Sequence, residues 1–122
     1  FKAPYSASKA GLVNLTKSVA FALTRDNIKV NGLNLGWTHT QGEEKTMEKY
    51  VTKDKDWPTT HGKDLPWGRL IQPLEAAKAI AFMTSSESGL MTGSIIDFDQ
   101  IISGWYADYS GPKRLKDNEL GI

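Results

Sequence analysis

Between Tyr5 and about Arg25, the apolar residues Leu12, Leu15, Val19 and Leu23 recur at spacings of three and four, the period of one face of an α-helix. Ala7, Ala10, Ala20 and Ala22 add helix propensity to the same stretch. Pro4 stands just before it, where a missing N–H matters least, and Asp26-Asn27 breaks the pattern. The next run, Ile28-Lys-Val-Asn-Gly-Leu-Asn-Leu35, places Ile28, Val30, Leu33 and Leu35 as a short strand. Gly32 either weakens that strand or marks a close backbone approach, and Gly36 ends it.

From Trp37 to Gly68 the pattern turns polar and loop-like, with Gly42, Pro58, Gly62 and Pro66. A helix fits within Gly42–Lys53, with Met47 and Tyr50 or Val51 facing inward. An insertion of this length between regular elements is expected to act as a lid or binding loop. Gln72-Pro73-Leu74-Glu75 reads as a second helix start, followed by a stripe of Leu74, Ala77, Ile80, Ala81 and Thr84 that ends at Ser85–Gly89. Ser94–Phe98 is a second β-rich run. The tail from Gln100 carries Trp105, Tyr106 and Tyr109, expected to pack in a core or between subunits, and then turns basic around Lys113-Arg114.

Helix, strand, loop with helix, helix, strand is an order in which two strands are joined through a helix, which predicts a βαβ crossover, parallel strands and an α/β sheet. Parallel strands are usually flanked by others and covered on both faces, so two strands are expected to be only part of the sheet. The chain starts Phe1-Lys2-Ala3-Pro4, without Met and without a secretory pattern, and it reads as cut from something longer.

Composition narrows the function classes. Fifteen Lys+Arg against fourteen Asp+Glu leave a net charge of +1, which gives no bulk attraction to nucleic acid or to an acidic membrane. No apolar run approaches the roughly 20 residues that span a bilayer. The absence of cysteine removes disulfides, Cys-based zinc sites and thiol catalysis, and fits a cytoplasmic protein. His39 and His61 are too isolated to predict a metal site. Asp97 and Asp99 alternate along one run and are expected to cap or pair rather than bind metal. Gly62-Lys63 lacks the frame of a P-loop, and the basic stretch near Lys113 reads as a solvated tail.

Tyr5-Ser-Ala-Ser-Lys9 carries the strongest chemical signal. On a helix, residues i and i+4 share a face, so the phenol and the ammonium project together. A free tyrosine, with a pKa near 10, is a poor proton carrier at neutral pH. A neighbouring ammonium and the positive end of a helix both favour the phenolate, which makes a usable general acid/base. From spacing alone, an ordinary surface Tyr and Lys is the commoner reading.

The residues around the pair shift that balance. Tyr-Ser-Ala-Ser-Lys-Ala-Gly-Leu at 5–12 resembles the Tyr-x-x-x-Lys motif of the short-chain dehydrogenase/reductase family. The likeness continues through Ile28-Lys-Val-Asn-Gly-Leu-Asn to Leu35-Gly-Trp-Thr-His-Thr40, which is similar to the family's Pro-Gly-x-Ile/Val-x-Thr cofactor loop. Gly68-Arg-Leu-Ile-Gln-Pro73 resembles its Gly-Arg-x-x-x-Pro segment, and Thr92-Gly-Ser-Ile-Ile-Asp-Phe-Asp99 resembles its closing strand. The resemblance implies the C-terminal portion of a Rossmann-type doubly wound parallel sheet, residues 1–122 forming an incomplete NAD(P)-binding domain with a loop region at 37–68 and a tail at 100–122. It implies an oxidoreductase that interconverts an alcohol and a carbonyl with NAD or NADP. Tyr5 would move the proton, and Lys9 would tune Tyr5 and bind the nicotinamide ribose. Leu35, Gly36, Trp37 and the backbone around Thr38 would line the nicotinamide site, and Thr40 would support the carboxamide or the pyrophosphate. Trp37 either borders the substrate or is a structural aromatic. Trp57 and Trp67, in the region where the family carries its variable lid, either line the pocket or pin the loop. The polar loop points to a polyol or sugar-like substrate, and the family's habit of assembling through the helix of the Tyr motif implies a homo-oligomer.

Three departures qualify the likeness. Leu35 stands where the family has Pro, Thr38 replaces Ile or Val, and Gln100-Ile101 replaces the common Gly-Gly. No Gly-rich phosphate turn of the form Gly-x-x-x-Gly-x-Gly occurs. The family's Asn-Asn-Ala-Gly segment and catalytic Ser, expected N-terminal to Phe1, are also not found. The chain alone is therefore expected to be inactive. The alternative is a non-catalytic half that serves only as a binding or assembly partner.

Overall fold

The computed structural model describes residues 3–102; Trp105, Tyr106, Tyr109 and the basic stretch near Lys113 lie outside them. Along the chain run α1 (Ala3–Leu23), β1 (Gly32–Leu35), α2 (Gln41–Tyr50), α3 (Trp57–Gly62), α4 (Pro73–Thr84) and β2 (Ile95–Phe98), with single 3-10 turns at Thr24–Asp26 and Ser86–Ser88. The described residues divide into two units, 3–35 with 74–98, and 36–73 with 99–102.

In the first unit β1 and β2 pair in parallel, Gly32 opposite Ile95 through to Leu35 opposite Phe98. The α/β reading with a parallel crossover is thereby met. At Gly32 the close neighbour is a side chain and not another backbone: a Cβ there would lie 2.8 Å from Cδ1 of Ile95. The strand begins later than its apolar pattern predicts, because Val30 and Asn31 are held from outside the ladder. The Val30 N–H donates to Oγ1 of Thr92 (3.1 Å), and the Asn31 amide donates to the Met91 carbonyl (2.9 Å) while accepting from the Ser94 N–H (3.0 Å). Lys29 donates to Oγ of Ser88 (2.8 Å) and to the carbonyls of Ser85 and Gly89, tying down the turn after α4. Gly93 takes a left-handed φ of 69°, a conformation that glycine adopts without penalty, and a Cβ there would lie 3.5 Å from the Ala20 methyl.

The helices form where periodicity places them, but their apolar stripes are not their most buried sides; on α1 only Val19 and Leu23 of the stripe are half-buried. On α1 the buried residue is Ala20, whereas Leu12 and Leu15 are more than half exposed. On α4 Ala76 and Met83 are buried, whereas Leu74, Ala77, Ile80, Ala81 and Thr84 are exposed. Both helices are apolar on more than one side, so their pattern specifies a helix without choosing which side turns inward.

The second unit is built around a small core of Met47, Trp57, Leu65 and Leu70, with Trp37 and Ile101 packed against it. Thr40 caps α2, its Oγ1 accepting the Glu43 N–H at 3.1 Å, and Glu43 and Glu44 complement the positive helix end. Met47 faces the core as expected, but Tyr50 and Val51 point outward because the helix ends there, with Val51 as its cap. α3 lies where the sequence reads as loop; Pro58 suits its first turn and Trp57 anchors it in the core. Gly62 sits at a tight backbone crossing, where a Cβ would lie 3.1 Å from Cα of Arg69. Gln100 ties the unit together, accepting from the Trp67 N–H (2.9 Å) and donating to the Arg69 carbonyl (2.7 Å). Among the described residues, no helix is long and apolar enough to cross a membrane.

Candidate active site

The first unit carries the Tyr–Lys pair. α1 puts Tyr5 and Lys9 one turn apart, and Nζ of Lys9 lies 5.5 Å from the centroid of the Tyr5 ring. Both side chains are exposed, Tyr5 to 62% of its surface. The Ser8 hydroxyl folds back onto the Tyr5 carbonyl at 2.7 Å, so it is engaged with its own helix. Leu35, which ends β1, is partly exposed and belongs to this unit as well.

The second unit carries residues 36–40. Gly36 faces the Asp99 carboxylate so closely that no Cβ fits there. That carboxylate accepts the N–H groups of Gln100 (2.7 Å) and Ile101 (3.2 Å), which makes it a turn cap. Asp97, in the first unit, accepts from Asn34 across the strands at 2.7 Å. Thr38 is buried and forms a parallel bridge with Ile71. Its flanking peptides make the bonds: the Ile71 N–H donates to the Trp37 carbonyl (3.1 Å) and the His39 N–H donates to the Ile71 carbonyl (2.9 Å). In such a bridge the central residue's own N–H and C=O point to the opposite side. Thr38 therefore offers one backbone donor and one backbone acceptor on a fixed edge, the complement of a primary amide. Its hydroxyl is turned back to the Gly36 carbonyl at 2.9 Å. The Thr40 oxygen accepts from Glu43, which leaves its O–H available to donate to an anionic or carbonyl oxygen. A nicotinamide carboxamide fits this donor set.

The three tryptophans singled out from sequence all belong to the second unit, in different settings. Trp37 is half-buried; it stacks on Trp57 (6.0 Å, 26°), meets His61 edge-on, and donates from Nε1 to Oε1 of Glu43 at 2.8 Å. Trp57 is only 4% exposed and pins α3 to the core. Trp67 has an exposed side chain, with its backbone fastened to Gln100. His39 pairs with Glu44 at 2.9 Å, and Nδ1 of His61 bonds the Trp57 carbonyl at 3.1 Å. A recess of about 420 Å³ has a mixed lining, with His39, Glu44, Asp56 and Arg69 beside Pro58 and Leu70 among others. Sequence reasoning missed Glu43. The signal was present in Thr40-Gln-Gly-Glu43, the Thr-x-x-Glu spacing of a capping box.

A family model described as enoyl-(acyl carrier protein) reductase matches residues 1–100. A 3-oxoacyl-(acyl-carrier-protein) reductase of Thermotoga maritima is 38% identical over 95 residues, covering 78% of this chain and 36% of that protein. The chain thus spans little more than a third of the length of the curated relatives it matches. Among solved structures, a short chain dehydrogenase family protein from Francisella tularensis superposes with a TM-score of 0.71 at 30% identity, over 79% of this chain and 41% of that one. The L-sorbose reductase of Gluconobacter frateurii, solved with NADPH and L-sorbose, gives 0.69 at 28% identity over 79% and 38%. These neighbours carry the Rossmann fold, of which the parallel β1–β2 pair and its crossover form a part. With its Tyr-x-x-x-Lys helix, its Gly-x-Thr-x-Thr loop and a family match over residues 1–100, this chain belongs to the short-chain dehydrogenase/reductase family.

Proposed function

We propose that this chain carries the proton-transfer pair and the nicotinamide-side loop of an NAD(P)-dependent oxidoreductase that interconverts an alcohol and a carbonyl. The observation that carries the reading is the Lys9 ammonium 5.5 Å from the Tyr5 ring on an exposed helix face. The cofactor, NAD or NADP, supplies or accepts the hydride when bound. Tyr5 gives its phenolic proton to the substrate oxygen in reduction and takes one back in oxidation. Lys9 sets a positive charge beside the phenol as the proton leaves and bonds the nicotinamide ribose. Leu35, Gly36 and Trp37 border the nicotinamide, the Thr38 backbone edge takes the carboxamide, and Thr40 donates to the carboxamide or the pyrophosphate.

A polyol or sugar-like substrate is supported by the likeness to an L-sorbose reductase and by the hydrogen-bonding side chains His39, Glu44, Asp56 and Gln72 in the recess of the second unit. None of the three tryptophans lines that recess; half-buried Trp37 and exposed Trp67 are the aromatic candidates for touching a substrate, whereas the buried Trp57 pins the loop. An acyl thioester is the second reading, favoured by the 38% identity to a 3-oxoacyl carrier-protein reductase. Exposed Leu12, Leu15 and Phe21 on α1 support assembly of like chains through that helix, and the cytoplasm is the proposed compartment. The 122 residues by themselves hold no Gly-rich phosphate turn, and by themselves are expected to be inactive. A purely assembling role is the alternative.

The test is Tyr5→Phe in the polypeptide as its gene expresses it. Nicotinamide absorbance is followed with NADH and NADPH against a sugar and polyol panel and a 3-oxoacyl thioester. A fall in kcat of about 10²- to 10⁴-fold is expected. Unchanged turnover removes Tyr5 from the reaction, and no turnover in the parent polypeptide with any of these substrates favours the assembling role.

A further inference from the structure

We propose that Glu43 is a positioning residue for the backbone edge of Thr38, an inference that rests on the proposed nicotinamide role of that edge. A capping-box glutamate normally folds back to bond the N–H of its own cap residue. Glu43 does otherwise. Its backbone N–H is held by Oγ1 of Thr40 at 3.1 Å, and its carboxylate reaches past the cap to Nε1 of Trp37 at 2.8 Å. One residue therefore grips both sides of Thr38, through the residue before it and the second residue after it. The bridge to Ile71 supplies the third anchor, at the Trp37 carbonyl and the His39 N–H. A carboxylate accepting an N–H in a half-buried site makes a shorter and stronger bond than a neutral pair. The indole is also stacked on the buried Trp57 ring, so Glu43 selects the one orientation in which Trp37 bonds and stacks together. An edge fixed in advance binds a planar amide without first losing loop entropy.

Two measurements, one of them free of cofactor, test this on the gene-expressed polypeptide and its Glu43→Ala, Glu43→Gln and Trp37→Phe variants. The first is hydrogen exchange at the bridge amides of His39 and Ile71 and at the Trp37 indole. Glu43→Ala should speed exchange of all three about 10-fold, Trp37→Phe should speed the two bridge amides similarly, and Glu43→Gln, which keeps a neutral acceptor, should fall between the parent and Glu43→Ala. The second is equilibrium binding of NADPH and of adenosine diphosphoribose, which lacks nicotinamide. Glu43→Ala should weaken NADPH about 10-fold and leave the adenosine ligand unchanged. Parent-like exchange in Glu43→Ala overturns the inference, as does equal weakening of the two ligands, which marks general disruption. If the parent binds neither ligand, the proposed function fails, while the exchange data still decide whether Glu43 holds the loop.

Discussion

The two units carry their proposed chemistry by different means. In the first, Tyr5 and Lys9 sit one turn apart on α1, and helix geometry alone brings the ammonium to 5.5 Å from the ring. In the second, the Thr38 edge belongs to no regular element. It is aimed by a bridge to Ile71, by the Trp37–Glu43 bond, and by a core in which Trp57, Met47, Leu65 and Leu70 come from α2, α3 and the following turn. A repeat brings the first pair together, whereas tertiary contacts position the second. The first unit should therefore tolerate core changes that leave α1 helical, and the second should lose its geometry when one core side chain is truncated.

The largest stability effect is expected at Leu70, which is 2% exposed in a four-residue core. Leu70→Ala should destabilise the protein by about 2–5 kcal/mol. Urea unfolding followed by tryptophan fluorescence reads this well, because Trp37, Trp57 and Trp67 all belong to the second unit. A loss below 1 kcal/mol would show that the aromatic cluster, not Leu70, carries that core. Gly62→Ala comes next, since its new methyl meets the Arg69–Leu70 backbone; overpacking of this kind costs about 1–3 kcal/mol. In the first unit the matching substitution is Ala20→Leu, at a buried position beside Gly93. It should cost about 1–3 kcal/mol while far-UV dichroism keeps the α1 signal, and a collapse of that signal would erase the contrast between the units. The smallest effect belongs to Asp97→Ala. It removes an exposed cross-strand bond from Asn34 and should cost about 0.2–1 kcal/mol in the same unfolding assay.

What was legible in the sequence follows the same division. α1, α4, β1 and β2 were visible because each combines a period with a start or stop residue such as Pro4, Pro73 or Gly36. α3 was invisible: six residues containing Pro58 and Gly62 have no period to read, and their helix depends on Trp57 being buried. Which side of α1 and α4 is most buried was not legible, because apolar residues occur on more than one side of both helices. The Tyr5–Lys9 geometry was available from i, i+4 spacing alone. The roles of Asn31 and Lys29 as clamps on the turn before β2, and of Glu43 on Trp37, depend on partners that spacing does not name.

The central claim is that Tyr5 and Lys9 act as one unit. A double-mutant cycle on kcat with Tyr5→Phe, Lys9→Met and the pair tests it most directly, in the gene-expressed polypeptide with its best substrate. If Lys9 acts on the proton transfer through Tyr5, the double variant should be little slower than Tyr5→Phe alone. Independent losses that multiply in the double variant would contradict that coupling.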